Sequence, residues 1–117
     1  MSQDFVKLAD EVADGVGLLR QAIPDALKGF AALGMAATAT HALDARTEEL
    51  MALAIGIAVH CDGCVAYHVR AAHKHGATRQ EVAETVALAP CMGGGPAAVY
   101  GADALRAYDQ ISRADGG

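Results

Sequence analysis

From Leu50 to Val59 the chain is built only of Leu, Met, Ala, Ile, Gly and Val, with Glu49 opening the run and His60-Cys61-Asp62-Gly63-Cys64 closing it. A segment with no polar face has to be covered on nearly all sides if it is helical, so it is expected to be the central helix of whatever fold forms. It is about half the ~20 residues needed to cross a bilayer, and a membrane role is not expected. Glu49, Leu53, Gly56 and His60 follow one helical stripe. Cys61, Cys64 and His68, spaced i, i+3, i+7, follow another. Ionisable groups on otherwise apolar stripes are costly unless paired, which leaves mutual pairing or catalysis as the reasons for Glu49 and His68.

The 117 residues make one domain, 1–117, with its core expected over about 24–113. Of this chain 53% is hydrophobic, yet it holds two Phe, three Tyr and no Trp, so its helices are faced with small side chains and can approach closely. That is more apolar surface than one small domain covers, and a homo-oligomer is expected. A net charge of −5, with the nine Lys and Arg scattered singly, gives no basic stripe, so nucleic acid is not an expected partner. The N-terminal MSQDFVKLADEVADG is acidic where a signal peptide would be basic and then apolar; a cytoplasmic protein is expected. In such a compartment three cysteines, two of them as C-x-x-C, argue for redox or metal chemistry rather than a structural disulfide.

Periodicity predicts an all-α fold of about six helices. Asp4 to about Arg20 carries Phe5, Leu8, Ala9, Val12, Val16 and Leu19 on one face. Pro24 opens a second helix to about Thr40, with Leu27, Phe30, Ala31, Gly34 and Met35 as its apolar face. Asp44 is the expected N-cap of a third running through His60, and Thr47 could cap a shorter version. Asp62-Gly63 breaks or bends it, and Cys64 to His75 follows as the fourth, stopped by Gly76. Thr78 with Glu81 reads as a capping box for the fifth, ending near Pro90. Cys91 to Gly95 reads as a loop. Pro96 opens the last helix, with Ala97, Tyr100, Gly101, Ala104, Leu105 and Tyr108 buried, and the SRADGG tail is expected to fray.

With Asp62 as N-cap, Cys64 falls in a first helical turn, where free N–H groups and the helix dipole favour a thiolate, the nucleophilic form. His68, one turn on, can accept or return a proton. The carboxylate of Asp62 opposes this by raising a nearby thiol's pKa. A sulfenic acid on Cys64 can condense with Cys61 before over-oxidation. Glu49 would orient His68 and fix its tautomer. A plain hairpin turning at Asp62 would, however, offset Glu49 and His68 by roughly 10 Å along the helices, so they would meet only through a crossing angle or a second subunit.

Other readings of the same residues stay open. Cys61 and Cys64 could be inert core thiols, or with His60 and His68 a Cys₂His₂ zinc set, although structural zinc ligands usually come as pairs far apart in sequence. Glu49 alone could be a solvated first-turn residue, and Glu48 is the more solvated of the two. His60, His73 and His75 could serve helix C-termini; His41 has no evident role, and Cys91 is expected to be buried. The glycines 93–95 follow no strand, so they suit tight packing rather than a phosphate loop.

Glu49, Cys61-Asp-Gly-Cys64 and His68 together resemble the motif of the alkylhydroperoxidase D (AhpD)-like branch of the carboxymuconolactone decarboxylase superfamily, a likeness that runs from about Thr47 to Leu105 through Gly76, Glu81-Val82 and Gly93 to Ala97. The resemblance implies an all-helical domain, assembly into trimers or hexamers, and thiol-dependent peroxide reduction. It implies Cys64 as peroxidatic cysteine, Cys61 as its disulfide partner and entry point for the reductant, and Glu49 and His68 as proton relay. It further implies no bound cofactor or metal, with an external dithiol, of lipoyl type in well-studied members, resetting the pair. One departure is Gly63, where fuller members often carry His; His60 is the possible relay in its place. Two other classes remain beside this one: a lactone-processing decarboxylase that would not need the cysteines, and a non-catalytic helical oligomer or metal-binding module.

Overall fold

A computed structural model describes residues 3–39 and 41–116, which form six α-helices and no strand: α1 Phe5–Ala22, α2 Pro24–Ala37, α3 Ala45–Ala58, α4 Asp62–Lys74, α5 Arg79–Gly93 and α6 Gly95–Ala114. Their starts follow local chemistry. The Asp4 carboxylate accepts from the Lys7 N–H (3.0 Å), that of Asp44 from the Thr47 N–H (2.8 Å), and Thr78 and Glu81 form the full reciprocal capping box. Asp44, rather than Thr47, therefore caps α3. Among the described residues no helix is long and apolar enough to cross a membrane.

α3 lies at the centre of the packing, against α4, α5 and α6, while α4 also meets α1 and α6. Phe5, Leu53, Ile57, Val65, Val69 and Val82 are the large side chains fully removed from solvent. Each contributes about 1.5–3 kcal/mol of hydrophobic burial. α6 adds Ala97, Gly101, Ala104, Ala107 and Ile111. Small residues there let α5 come close: a Cβ on Gly101 would lie 2.6 Å from Val86 Cγ1. The start of α1 is tied to α6 by Gln110, whose Oε1 accepts from the Phe5 N–H (2.6 Å) and whose amide donates to the Gln3 carbonyl (2.8 Å).

Several expectations are corrected. α3 is not covered on all sides, since Met51, Ile55 and Val59 stay 50%, 63% and 65% exposed; three neighbouring helices in a chain this small leave its fourth side open. α2 packs on α1 and buries Leu27 alone, leaving Phe30, Leu33 and Met35 exposed, and the C-terminal half of α1 likewise exposes Leu18 and Leu19. α2 ends at Ala37; the expected boundary at Thr40 lies outside the described residues.

α5 does not stop near Pro90 but continues through Cys91 and Met92 to Gly93. Proline removes one ladder donor and crowds the preceding turn, a local cost that tertiary contact overrides here. The overriding contact is visible at Gly93, where an added Cβ would lie 3.1 Å from Ala97 Cβ and 3.7 Å from Ala58 Cα. Gly94, at φ 81°, then makes the sharp turn into α6, a conformation open to glycine at little cost. The loop expected over 91–95 thus shrinks to one residue. Nor does the tail fray where expected, because α6 runs on to Ala114, with Ile111 buried and Asp115 paired to His73 (3.3 Å).

Candidate active site

The connection from α3 to α4 is three residues long and does two jobs at once. Val59 caps α3. His60 follows in the left-handed region (φ 61°), its N–H donating to the Ile57 carbonyl (3.2 Å) while the Cys61 N–H donates to that of Gly56 (3.0 Å). These paired bonds make a Schellman motif with histidine at the position glycine usually holds. α3 accordingly ends at Ala58 rather than His60.

Cys61 is next the N-cap of α4, its Sγ accepting from the Cys64 N–H (3.1 Å). This corrects the expectation that Asp62 caps the helix. Asp62 is the first helical residue instead, and its carboxylate accepts from the Gly63 N–H (2.8 Å). Cys61 and Cys64 are both half-buried and joined as a disulfide, with Cα atoms 5.2 Å apart. Cys64 sits against the bare backbone of Gly56, where an added Cβ would lie 3.0 Å from Cys64 Cβ. The pair is therefore seated on α3 by a residue with no side chain.

Glu49 and His68 meet within one chain. His68 Nδ1–H donates to Glu49 Oε1 at 2.7 Å, with the two side chains 28% and 15% exposed respectively. An ionised carboxylate only accepts, which would put the proton of this bond on Nδ1 and, in a neutral ring, leave Nε2 as its basic atom. Because α3 stops at Ala58 and α4 starts at Asp62, Glu49 lies nine residues before one helix end and His68 six after the other. The offset shrinks to about three residues, or ~4.5 Å, which flexible side chains span. The end of α3 at Ala58, with His60 in the left-handed region just beyond it, thus brings the pair within reach.

Tyr67, which the sequence reading did not single out, sets its ring edge-on to His68 (5.2 Å, 84°). With Glu49, Arg70, Ala71, Lys74 and His75 it lines a shallow cavity of about 300 Å³. A wider groove of about 430 Å³, between the start of α1 and the end of α6, contains none of these residues. Asp10 on α1 pins Arg70 (2.6 Å), so the cavity wall is braced from a third helix.

The remaining candidates are placed elsewhere. The exposed ring of His60 stacks on Tyr100 of α6 (5.0 Å, 9°) and takes no part in the Glu49–His68 bond. No local signal marks Tyr100, forty positions away. Cys91 is free and exposed, contrary to expectation, because α5 continues past Pro90 and carries it outward. Glu48 is half-buried rather than solvated as expected, with its Oε1 buried and without a hydrogen-bond partner. His73 pairs with Asp115 and sets its ring against Tyr108, and His75 is the C-cap of α4. His41 is exposed. Among the described residues no three His, Cys, Asp or Glu side chains are grouped to hold a metal ion. His60 and His68 instead turn to Tyr100 and Glu49.

The sequence profile of the carboxymuconolactone decarboxylase family matches residues 24–107. An uncharacterised protein of Cupriavidus necator is 38% identical over 112 residues, spanning 96% of this chain and 99% of its own length. Another, from the cox locus of Paracoccus denitrificans, is 35% identical over 85 residues, covering 73% of this chain and 77% of its own. The crystal structure of an apo carboxymuconolactone decarboxylase family protein from Legionella pneumophila superposes with a TM-score of 0.90 at 38% identity, covering 95% of this chain and 99% of that one.

Proposed function

The chain belongs to the carboxymuconolactone decarboxylase family, and on that premise we propose that it is a thiol-dependent reductase of organic hydroperoxides working through Cys64 and Cys61. The observation that carries this reading is the 2.7 Å bond from His68 Nδ1 to Glu49, one helical turn beyond Cys64. Residues at i and i+4 on a helix share a face, so the ring whose tautomer Glu49 selects belongs to the neighbourhood of the Cys64 sulfur.

In the reduced enzyme His68 Nε2 takes the Cys64 proton. The thiolate attacks the hydroperoxide, an S–O bond forms as the O–O bond breaks, and the imidazolium returns its proton to the departing alkoxide, leaving Cys64 as a sulfenic acid. Cys61, placed at the N-cap of α4 where the Cys64 N–H and the helix dipole favour an anion, supplies the second thiolate. It attacks the sulfenic sulfur, the S–S bond forms, and the hydroxyl leaves with a proton as water. An external dithiol, of the lipoyl type, exchanges with the disulfide and restores both thiols while becoming a cyclic disulfide itself.

The exposed apolar side chains of α2 and α3 support a homo-oligomer, a trimer or hexamer, as the working form, in a cytoplasmic setting that keeps the dithiol reduced. Intact-mass measurement on the reduced protein with stoichiometric organic hydroperoxide tests the chemistry. The parent should form a disulfide, Cys61→Ser should accumulate sulfenic acid, and Cys64→Ser should not react. Thiols that react no faster than free cysteine would sink the peroxidase reading and bring cysteine-independent lactone chemistry forward.

A further inference from the structure

His60 is the one non-glycine residue with positive φ among those described. At the C′ position of a Schellman motif glycine carries no penalty, whereas a side chain there pushes Cβ toward the following carbonyl. A residue kept in an unfavourable backbone region beside reactive groups points to a use for its side chain. Here the side chain has one evident partner: its ring lies nearly parallel to that of Tyr100, 5.0 Å away on α6. The next residue along is Cys61, whose N–H closes the same motif on Gly56 and whose sulfur caps α4.

We propose that His60 is a positioning residue for Cys61, holding the α3–α4 connection through its stack on Tyr100 so that the Cys61 sulfur stays within bonding reach of Cys64 after the disulfide opens. The Schellman bonds fix the connection to α3 and the N-cap bond fixes it to α4. The His60–Tyr100 stack ties it to a third helix, α6, and is the contact assigned here to keep the turn from hinging. Glycine would satisfy the backbone better and the thiol pair worse, because it also populates the rest of φ/ψ space. This deepens the peroxidase reading and rests on it for one of its two tests.

The step affected is closure: the Cys61 thiolate attacks the Cys64 sulfenic acid, the S–S bond forms, and the S–O bond breaks as the departing hydroxide takes up the proton that Cys61 had released and leaves as water. In His60→Gly and in Tyr100→Leu, closure after one equivalent of organic hydroperoxide should slow about tenfold, the scale of a small misplacement of reacting atoms. Over-oxidation of Cys64 to sulfinic acid should rise with it. His60→Phe, which keeps an aromatic ring on Tyr100, should restore closure.

Thermal melting separates this from a folding defect, since His60→Gly should melt no lower than the parent. The second test needs no peroxide. Equilibrated with graded dithiothreitol, the disulfide of His60→Gly and Tyr100→Leu should reduce at about tenfold lower ratios of reduced to oxidised reagent than the parent, because the two thiols find each other less often. A parent that ignores peroxide would sink the peroxidase reading alone, and the dithiothreitol equilibrium would still decide the role of His60. Parental closure and parental reduction midpoints in His60→Gly, or loss of both in His60→Phe, would overturn the assignment.

Discussion

Glu49, on α3, accepts a 2.7 Å hydrogen bond from Nδ1 of His68, on α4, and both side chains are mostly withdrawn from solvent. Glu49→Gln keeps the shape but loses the acceptor-only character of the carboxylate, so Nδ1–H is no longer the enforced tautomer. Stopped-flow oxidation of the reduced variant by an organic hydroperoxide should be about a hundredfold slower than the parent's. A loss of less than threefold would remove Glu49 from the relay.

At Gly56, α3 comes close to α4 beneath the disulfide. In Gly56→Ala the new methyl meets Cys64 Cβ at 3.0 Å, and neither atom can rotate away. Denaturant titration should show a loss of about 1–3 kcal/mol. The reduced cysteines should also become more accessible to a neutral alkylating reagent.

At Gly101, where α6 meets α5, there is still less room for a side chain. A Cβ at Gly101 would sit 2.6 Å from Cγ1 of Val86, a β-branched side chain with little rotamer freedom. Gly101→Ala should therefore cost about 1–3 kcal/mol. Adding Val86→Ala, which deletes the clashing atom, should recover part of that loss, so the double-mutant cycle should give a coupling energy of about 0.5 kcal/mol or more.

Two carboxylates, an exposed one at Asp44 and a half-exposed one at Asp109, respond to acid. Asp44 is held below the ordinary carboxylate value by hydrogen bonding from Thr47 at the start of α3, and Asp109 by its hydrogen bonds from Arg79. A carboxylate depressed in the folded state contributes stability above its unfolded pKa of about 3.9, and that contribution disappears as pH falls through the lower folded value. Melting temperature should drop as pH falls below about 4. Asp44→Asn and Asp109→Asn should each flatten that drop while changing little near neutrality beyond a constant offset.

Local chemistry made much of the fold legible. The cap at Asp44, the box at Thr78 and Glu81, the prolines opening α2 and α6 and the glycine stop after α4 all lie within one helical turn of what they control. The misjudged features were settled by contacts from elsewhere in the chain. Pro90 reads as a stop, but the helix continues because Gly93 is wedged between Ala58 and Ala97. Cys91 reads as a buried small residue until that continuation carries it to the surface.

The candidate site divides along the same line. By itself the sequence determined that Cys64 and His68 share one face of one helix and that Cys61 precedes them, because 3.6 residues per turn leave no other arrangement. Only the tertiary structure decided that Glu49 reaches His68. That contact goes with the end of α3 at Ala58, where His60 enters the left-handed region and Tyr100, forty residues later, stacks upon its ring. Such a choice is partly non-local: the backbone cost at His60 is set by its own φ and ψ and offset by the local Schellman bonds, while the partner of its ring comes from a helix that packs there after the chain has folded.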